Sequence, residues 1–383
     1  MDGEARDLTS GDVAPGPGRR FDLGWTRPLV LVVVASRLIV LAAAAVAETL
    51  VARNPLLTGG DPAPILQSLT SWDGWWYLGI VRHGYHAAAL VDGYHDYAFL
   101  PLYPALVRVV AAPFPGWEGL IAVVISNVLF VVALAMLVAL TAPRLGRDLA
   151  IRSAALLALF PFSAAFSMAY AESLFLVLAL GAFLAVERGR PATAGLLLAL
   201  ATLTRLQGAI LIVPLLWLLW QRERRPRPMW IALLLGPIAA ASAFTWVTSF
   251  TGDPTSYGAA QAAWGRSGLG GDPTGSLAAG LTGAVAMIHA VDLAVLIGAT
   301  FLFVFLRRDR IPAAYASVPI LFLVLVFASG SIQSIGRLLM PAFPYQWILA
   351  ARRSRMGRLG WPIASAVLLF ALSVAMFAGW FVP

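Results

Sequence analysis

Ten apolar segments of spanning length run along the chain, at about 28–50, 119–141, 150–168, 170–187, 192–220, 230–249, 284–306, 312–329, 337–351 and 360–381. The stretch 192–220 is too long for one untilted crossing and holds Arg205, Gln207, Gly208 and Pro214. It reads as two short helices meeting near Arg205. The pattern therefore predicts an all-α, polytopic integral membrane protein of about eleven transmembrane helices. Two polar stretches, 51–118 and 250–283, are long enough to be functional loops rather than connectors. Residues 1–27 are polar and rich in Gly, Pro and Asp, and read as a disordered cytoplasmic tail. They lack the short apolar stretch and small-residue cleavage site of a signal peptide. Residues 28–383 read as one membrane domain.

Composition agrees with lipid as the solvent. The 383 residues are 60% hydrophobic and 12% charged, more apolar surface than a soluble domain of this length hides. There is no cysteine, which excludes disulfides and thiolate metal sites. All 27 basic residues are arginine, which excludes Schiff-base chemistry on lysine. The net charge of +8 points to topology rather than to nucleic acid. With the N-terminus inside, twenty arginines fall in the tail and inner loops, six on the outer side, and Arg37 within the first span. That asymmetry follows the positive-inside rule. It needs 192–220 to cross twice, since one crossing would invert every later loop.

The first outer segment carries Ser71-Trp72-Asp73-Gly74-Trp75-Trp76-Tyr77, running on to His83-Gly84-Tyr85. Trp72, Trp75, Trp76, Ile80 and Tyr85 predict a short helix in the membrane interface, where aromatic rings prefer to sit. Asp73 stands at its start and Gly84 just past its end. Two readings of Asp73 stay open, an N-cap and a general base held at the membrane surface. Further on, Pro101 and Pro104 fix an extended turn that returns the chain to the membrane. His83, His86, Asp92, His95 and Asp96 share this segment. They lack the His-Glu-x-x-His spacing of a helical zinc site, so hydrogen bonding to phosphate, sugar or water is the better reading.

Ionisable groups also sit inside apolar sequence, where they are costly and point to function. Glu172 lies in a tight outer turn, Arg205 at the break in 192–220, and Arg337 where the tenth span begins. His289 and Asp292 share a helical face near an outer end. A structural ion pair such as Glu172 with Arg205 is one explanation. For Arg205 and Arg337 a lipid-borne phosphate at the same depth is the better one, because guanidinium suits phosphate oxygens. Arg37 and Glu48, on one face of the first span, read as structural.

At Trp72-Asp73, His83-Gly84-Tyr85 and Ala98-Phe99-Leu100-Pro101-Leu102-Tyr103-Pro104, the sequence resembles the first lumenal loop of the glycosylphosphatidylinositol mannosyltransferase II (PIG-V) family. Ala169 to Phe175, Thr202 to Gly208 and the Arg337 region also look like that family, so the resemblance runs from about residue 70 to 345. The family's usual Phe-Phe-Pro is here Phe99-Leu100-Pro101. The resemblance implies the GT-C superfamily of membrane glycosyltransferases. It implies a polyprenyl-phosphate-linked sugar donor, most often mannose, and metal-independent inverting transfer with no cofactor. In that superfamily an aspartate of the first outer loop is the catalytic base, and Asp73 matches it.

The expectation is therefore a plasma-membrane enzyme with its active site on the extracytoplasmic side and a lipid or glycolipid as acceptor. Asp73 takes the acceptor proton, and Arg205 and Arg337 hold the leaving phosphate. Trp72, His83, Tyr85, Glu172 and Gln207 are candidates for contacting sugar or acceptor or for orienting Asp73; for Trp72, anchoring the loop is the stronger reading. The alternatives are a related transferase using another polyprenyl-phosphate sugar, a lipid-linked sugar transporter or flippase, and a scaffold subunit. A transporter should instead hold its polar groups near the bilayer midplane, between repeated halves.

Overall fold

A computed structural model describes residues 26–54, 63–91, 93–266, 286–308, 311–331, 333–352, 354 and 359–381. The expected tail up to residue 25, Asp92, residues 267–283 of the second long outer segment and the side chain of His289 lie outside them. The described residues form helices and turns without a β-strand, apart from a single bridge between Val91 and Tyr94. The chain is a multi-pass membrane protein. Arg27–Thr49, Glu118–Leu145 and Pro228–Thr251 are long and apolar enough to cross a membrane as single helices. Shorter apolar helices, Pro191–Thr204, Ala290–Phe303, Ala313–Ala328 and Trp361–Phe377, fall in four of the other expected crossings.

In chain order the helices are α1 (Thr26–Thr49), α2 (Leu66–Leu69), α3 (Asp73–His83), α4 (Leu102–Ala111), α5 (Glu118–Leu145), α6 (Arg147–Ala158), α7 (Glu172–Glu187) and α8 (Pro191–Thr204). They continue as α9 (Ile212–Glu223), α10 (Leu235–Thr251), α11 (Ser256–Ala263), α12 (Ala286–Arg308), α13 (Ala313–Ala328), α14 (Ile335–Leu339), α15 (Pro344–Ala350) and α16 (Trp361–Phe377). Helix α7 is buried on nearly every side, with Phe175, Leu176, Leu180, Ala182 and Phe183 fully enclosed. An apolar helix without a polar face belongs at the centre of a bundle.

Two expected single spans are broken, each at proline. The 150–168 segment is helix α6, then a turn at Pro161, then a short 3-10 helix over Ser163–Phe166. The break exposes carbonyls that lipid cannot satisfy. Arg37 supplies the donors: its guanidinium reaches Ser163 Oγ and Ser167 Oγ at 2.7 Å each, and the carbonyls of Ser163 and Ala158 at 3.3 and 3.4 Å. The structural reading of Arg37 agrees with this geometry. The 337–351 segment is likewise split into α14 and α15, around Pro341 and Pro344.

At Arg205 the chain reverses. Arg205 is extended, with φ −149° and ψ 129°, between α8 and a 3-10 helix over Leu206–Leu211 that leads into α9. Arg205 pairs with Glu172 at the start of α7, whereas Arg222 near the end of α9 reaches Glu187 at the end of α7, at 2.8 Å. The chain thus climbs along α8 and descends along α9. The descending arm is about 30 Å long, enough to cross the hydrocarbon core. Gly208 makes the tight return possible: a Cβ there would lie 2.6 Å from Thr202 N and 2.7 Å from Ala201 C. Backbone atoms cannot step aside as a flexible side chain can. Gly208→Ala should therefore destabilise the protein by about 1–3 kcal/mol, read as a lower melting temperature in detergent. An unchanged melting temperature would refute this account of the reversal.

The two ends of α7 separate two charged layers, about 22 Å apart by helix rise. At one end Glu187 accepts bonds from Arg222 and from the Tyr315 hydroxyl, at 2.7 Å, and pairs with Arg144. At the other end stand Glu172, Arg205, Arg337 and Asp73.

Candidate active site

Helix α3 carries Asp73 into the bundle. The helix exists where the aromatic run placed it and packs one face into the protein: Trp76, Tyr77, Leu78, Ile80 and Val81 are all buried. Gly74 brings it close to Ala169, and Ala169 N donates to the Leu69 carbonyl at 2.8 Å. Asp73 is the first helical residue, and Trp72 holds the cap position. No side chain caps this helix. The N-cap reading of Asp73 therefore fails. Its carboxylate turns away from its own helix to the guanidinium of Arg337, with Nη1 to Oδ2 at 2.5 Å.

Strained backbone flanks both partners. Trp72, just before Asp73, has φ 55°, and Ser334, just before α14, has φ 62°. Such conformations are costly for residues other than glycine and persist only where the surroundings enforce them. Trp72 is enforced by its indole N–H, which donates to the Met376 carbonyl at 2.9 Å. This fits the anchor role. Ser334 N donates to Oδ2 of the buried Asp292 at 3.3 Å. Asp292, on α12, thereby fixes the start of the short helix that presents Arg337. Gly336 lets that helix press against Phe162, because a Cβ would run into the ring.

Glu172, at the start of α7, links the two arginines. It is 1% exposed, pairs with Arg205, and lies 3.4 Å from Arg337 Nε. Arg337 also lies over the Tyr170 ring, 5.3 Å from its centre, and the Tyr170 hydroxyl accepts from Asp73 N at 3.3 Å. The structure thus joins Asp73, Glu172, Arg205 and Arg337, residues up to 264 positions apart, into one network.

Two cavities meet at this network. The first, of about 550 Å³, is walled by Trp72, Trp75, Trp76, Tyr94, Phe99 and Trp264, with Asp73, Arg266 and Arg337 at its polar end. The second, of about 460 Å³, has Arg205, Gln207 and Tyr77 on one side and Phe322, Leu325 and Val326 of α13 on another. Asp73, Arg266 and Arg337 line both. Burial raises the Tyr77 phenol well above its ordinary range, so it stays a neutral donor. Gln207 is nearly buried, and its side-chain N–H has no hydrogen-bond partner. The second carboxylate oxygen of Glu172 is also without one. Gln207 lines the second cavity, and its unpaired N–H suits a ligand that brings hydroxyls, whereas Glu172 lines neither cavity.

Other sequence candidates lie elsewhere. His83 is exposed at the far end of α3, about 15 Å along the helix from Asp73. Tyr85 braces the loop, donating to the Phe99 carbonyl at 2.9 Å and packing edge-on against Trp246. His86 pairs with the buried Asp96 at 2.8 Å, and His95 stacks on Tyr97. Among the described residues no group of three or more His, Cys, Asp or Glu is placed to share a metal ion. Sequence reasoning missed Tyr77, Trp264 and Arg266. Arg266 carried a signal, being one of the few arginines placed against the positive-inside trend.

The sequence profile of mannosyltransferases of the PIG-V type matches residues 28–221, half of the chain. The chain belongs to the mannosyltransferase (PIG-V) family. The match takes in Asp73, Glu172, Arg205 and Gln207 and stops before Arg266 and Arg337. No curated protein matches the chain in sequence. In fold it is similar to ArnT from Cupriavidus metallidurans, solved with undecaprenyl phosphate bound. The TM-score is 0.51 with 16% identity, over 86% of this chain and 60% of that one. It is similar also to the oligosaccharyltransferase of Archaeoglobus fulgidus, solved with Zn and sulfate. There the TM-score is 0.51 with 14% identity, over 91% of this chain and 53% of that one. The chain shares the fold of both. The chain spans little more than half the length of either protein.

Proposed function

We propose that this protein transfers a hexose, mannose first among the candidates, from a polyprenyl-phosphate-linked donor to a lipid or glycolipid acceptor, with inversion, at the extracytoplasmic face of the plasma membrane. The observation that carries the reading is the meeting of two cavities at Asp73. One is aromatic, as a platform for sugar rings requires. The other joins guanidinium groups to an apolar wall, as a lipid phosphate requires. Membership of a mannosyltransferase family and the shared fold of ArnT, itself solved with undecaprenyl phosphate, support the same assignment.

The reaction is a single displacement at the anomeric carbon. Arg337 holds Asp73 Oδ2, leaving Oδ1 to accept the proton of the attacking hydroxyl. The new bond forms between the acceptor oxygen and the anomeric carbon as the bond from that carbon to the phosphate oxygen breaks. The electron pair leaves with polyprenyl phosphate, whose charge the guanidinium groups stabilise. No general acid and no metal is needed in this scheme, because a phosphate is already a good leaving group. His83, remote from Asp73, takes no part. With eleven crossings and the N-terminus inside, the cavity layer faces outward, and the arginine-rich Glu187 layer faces the cytoplasm.

The purified protein in lipid nanodiscs, given a short-chain polyprenyl-phosphate mannose and membrane lipid acceptors, should yield a mannosylated product and free polyprenyl phosphate. Polyprenyl-phosphate glucose and arabinose in parallel reactions test the choice of sugar. Donor binding without turnover of any sugar would sink the transferase reading.

A further inference from the structure

Resting on that reading, we infer that Arg266, from the second long outer segment, is the primary ligand of the donor phosphate, ahead of Arg205 and Arg337. The argument is a charge count at the junction of the cavities. Three guanidinium groups and two carboxylates meet there. Arg205 is taken by Glu172, and Arg337 by Asp73 and Glu172. Arg266 lines both cavities, and among the described residues it pairs with no carboxylate. Among the described residues its one side-chain hydrogen bond is a long one, 3.5 Å, to the neutral Gln261 Oε1.

Position and electrostatics agree with this role. Arg266 N donates to the Gln261 carbonyl at 3.1 Å, and Gln261 Nε2 donates to the Ala98 carbonyl at 3.1 Å. The arginine is therefore tied both to the end of α11 and to the first outer loop. Burial, and after it the charges of Arg337 and Arg205, lower its pKa to about 10. At neutral pH it stays protonated, a cation held where cations are disfavoured. An entering phosphate relieves that penalty without breaking an existing ion pair. Binding to Arg205 or Arg337 instead competes with Glu172 or Asp73, and drawing Arg337 away would unfix the base.

The test separates phosphate recognition from catalysis. Wild type, Arg266→Gln and Arg266→Lys are purified into nanodiscs. Binding of a short-chain polyprenyl phosphate and of the matching uncharged polyprenol is measured, with melting temperature as a folding control. Wild type should bind the phosphate and Arg266→Gln should bind it roughly 10- to 100-fold more weakly, the span of a lost charged hydrogen bond. Arg266→Lys should recover part of the loss. Polyprenol binding and melting temperature should not move. Equal phosphate affinity in wild type and Arg266→Gln overturns the assignment of Arg266. Parallel loss of phosphate and polyprenol binding overturns it too, since it marks a role in shaping the cavity. If wild type binds no polyprenyl phosphate, the donor reading itself fails, a result distinct from the other two.

Discussion

Asp73→Asn should lower the transfer rate by about 100- to 10,000-fold, the range a positioned general base supplies. The substitution is nearly isosteric. An asparagine oxygen still accepts from Arg337, so α3 and α14 keep their bridge, and the indole anchor of Trp72 is untouched. What is lost is the capacity to take a proton. The sign of the effect on binding is also fixed. Removing a negative charge beside a phosphate site leaves polyprenyl phosphate affinity equal or tighter. A base is therefore diagnosed by the combination of vanishing turnover and retained or improved phosphate binding. If turnover and binding fall together with melting temperature, the Asp73–Arg337 bridge is structural. If turnover persists at the wild-type level, Asp73 is not the base.

Glu172→Gln is expected to give the largest loss of stability. Glu172 is almost wholly buried and is the shared partner of two guanidinium groups. Neutralising it leaves Arg205 without its carboxylate and Arg337 with Asp73 alone. Breaking a buried ion pair from one side destabilises by about 3–5 kcal/mol, because the remaining charge stays desolvated. The detergent melting temperature of Glu172→Gln should drop sharply, and activity with it. The double variant Glu172→Gln, Arg205→Gln should regain part of the melting temperature, since it removes the orphaned cation along with its partner. A double variant no better than the single one would show that Arg205 is not stabilised by Glu172.

The two predictions probe different parts of one network. Asp73 is joined to it by the cavity-facing end of Arg337, whereas Glu172 lies beneath, where its burial holds the arginines in place. The ion pair of Glu172 with Arg205 was one explanation of those residues at the sequence level, and phosphate binding by Arg205 the other. The geometry brings the first about. It also shows why the two compete for one guanidinium.

The sequence by itself determined that this chain lives in a membrane and where most of its long apolar helices lie. These follow from local physics. Lipid demands runs of apolar residues with internally bonded backbone, arginine distributes by side, and proline interrupts a helix at Pro161 and Pro341, though Pro143 and Pro319 are carried inside α5 and α13. The aromatic run after Asp73 likewise predicted α3. What only the tertiary structure decided is which side chains meet. Periodicity cannot tell an exposed helix from a packed one when every face is apolar or aromatic, so only the structure shows that α3 buries Trp76, Tyr77, Leu78, Ile80 and Val81 against the rest of the protein. Asp73 resembled an N-cap until the turn of its carboxylate toward Arg337, 264 residues away, was visible. Arg266 looked like one outer arginine among six, because only the packing shows that it lines both cavities and, among the described residues, pairs with no carboxylate. Pairing between distant segments depends on how helices pack, and that information is spread over the whole chain rather than written at any one position.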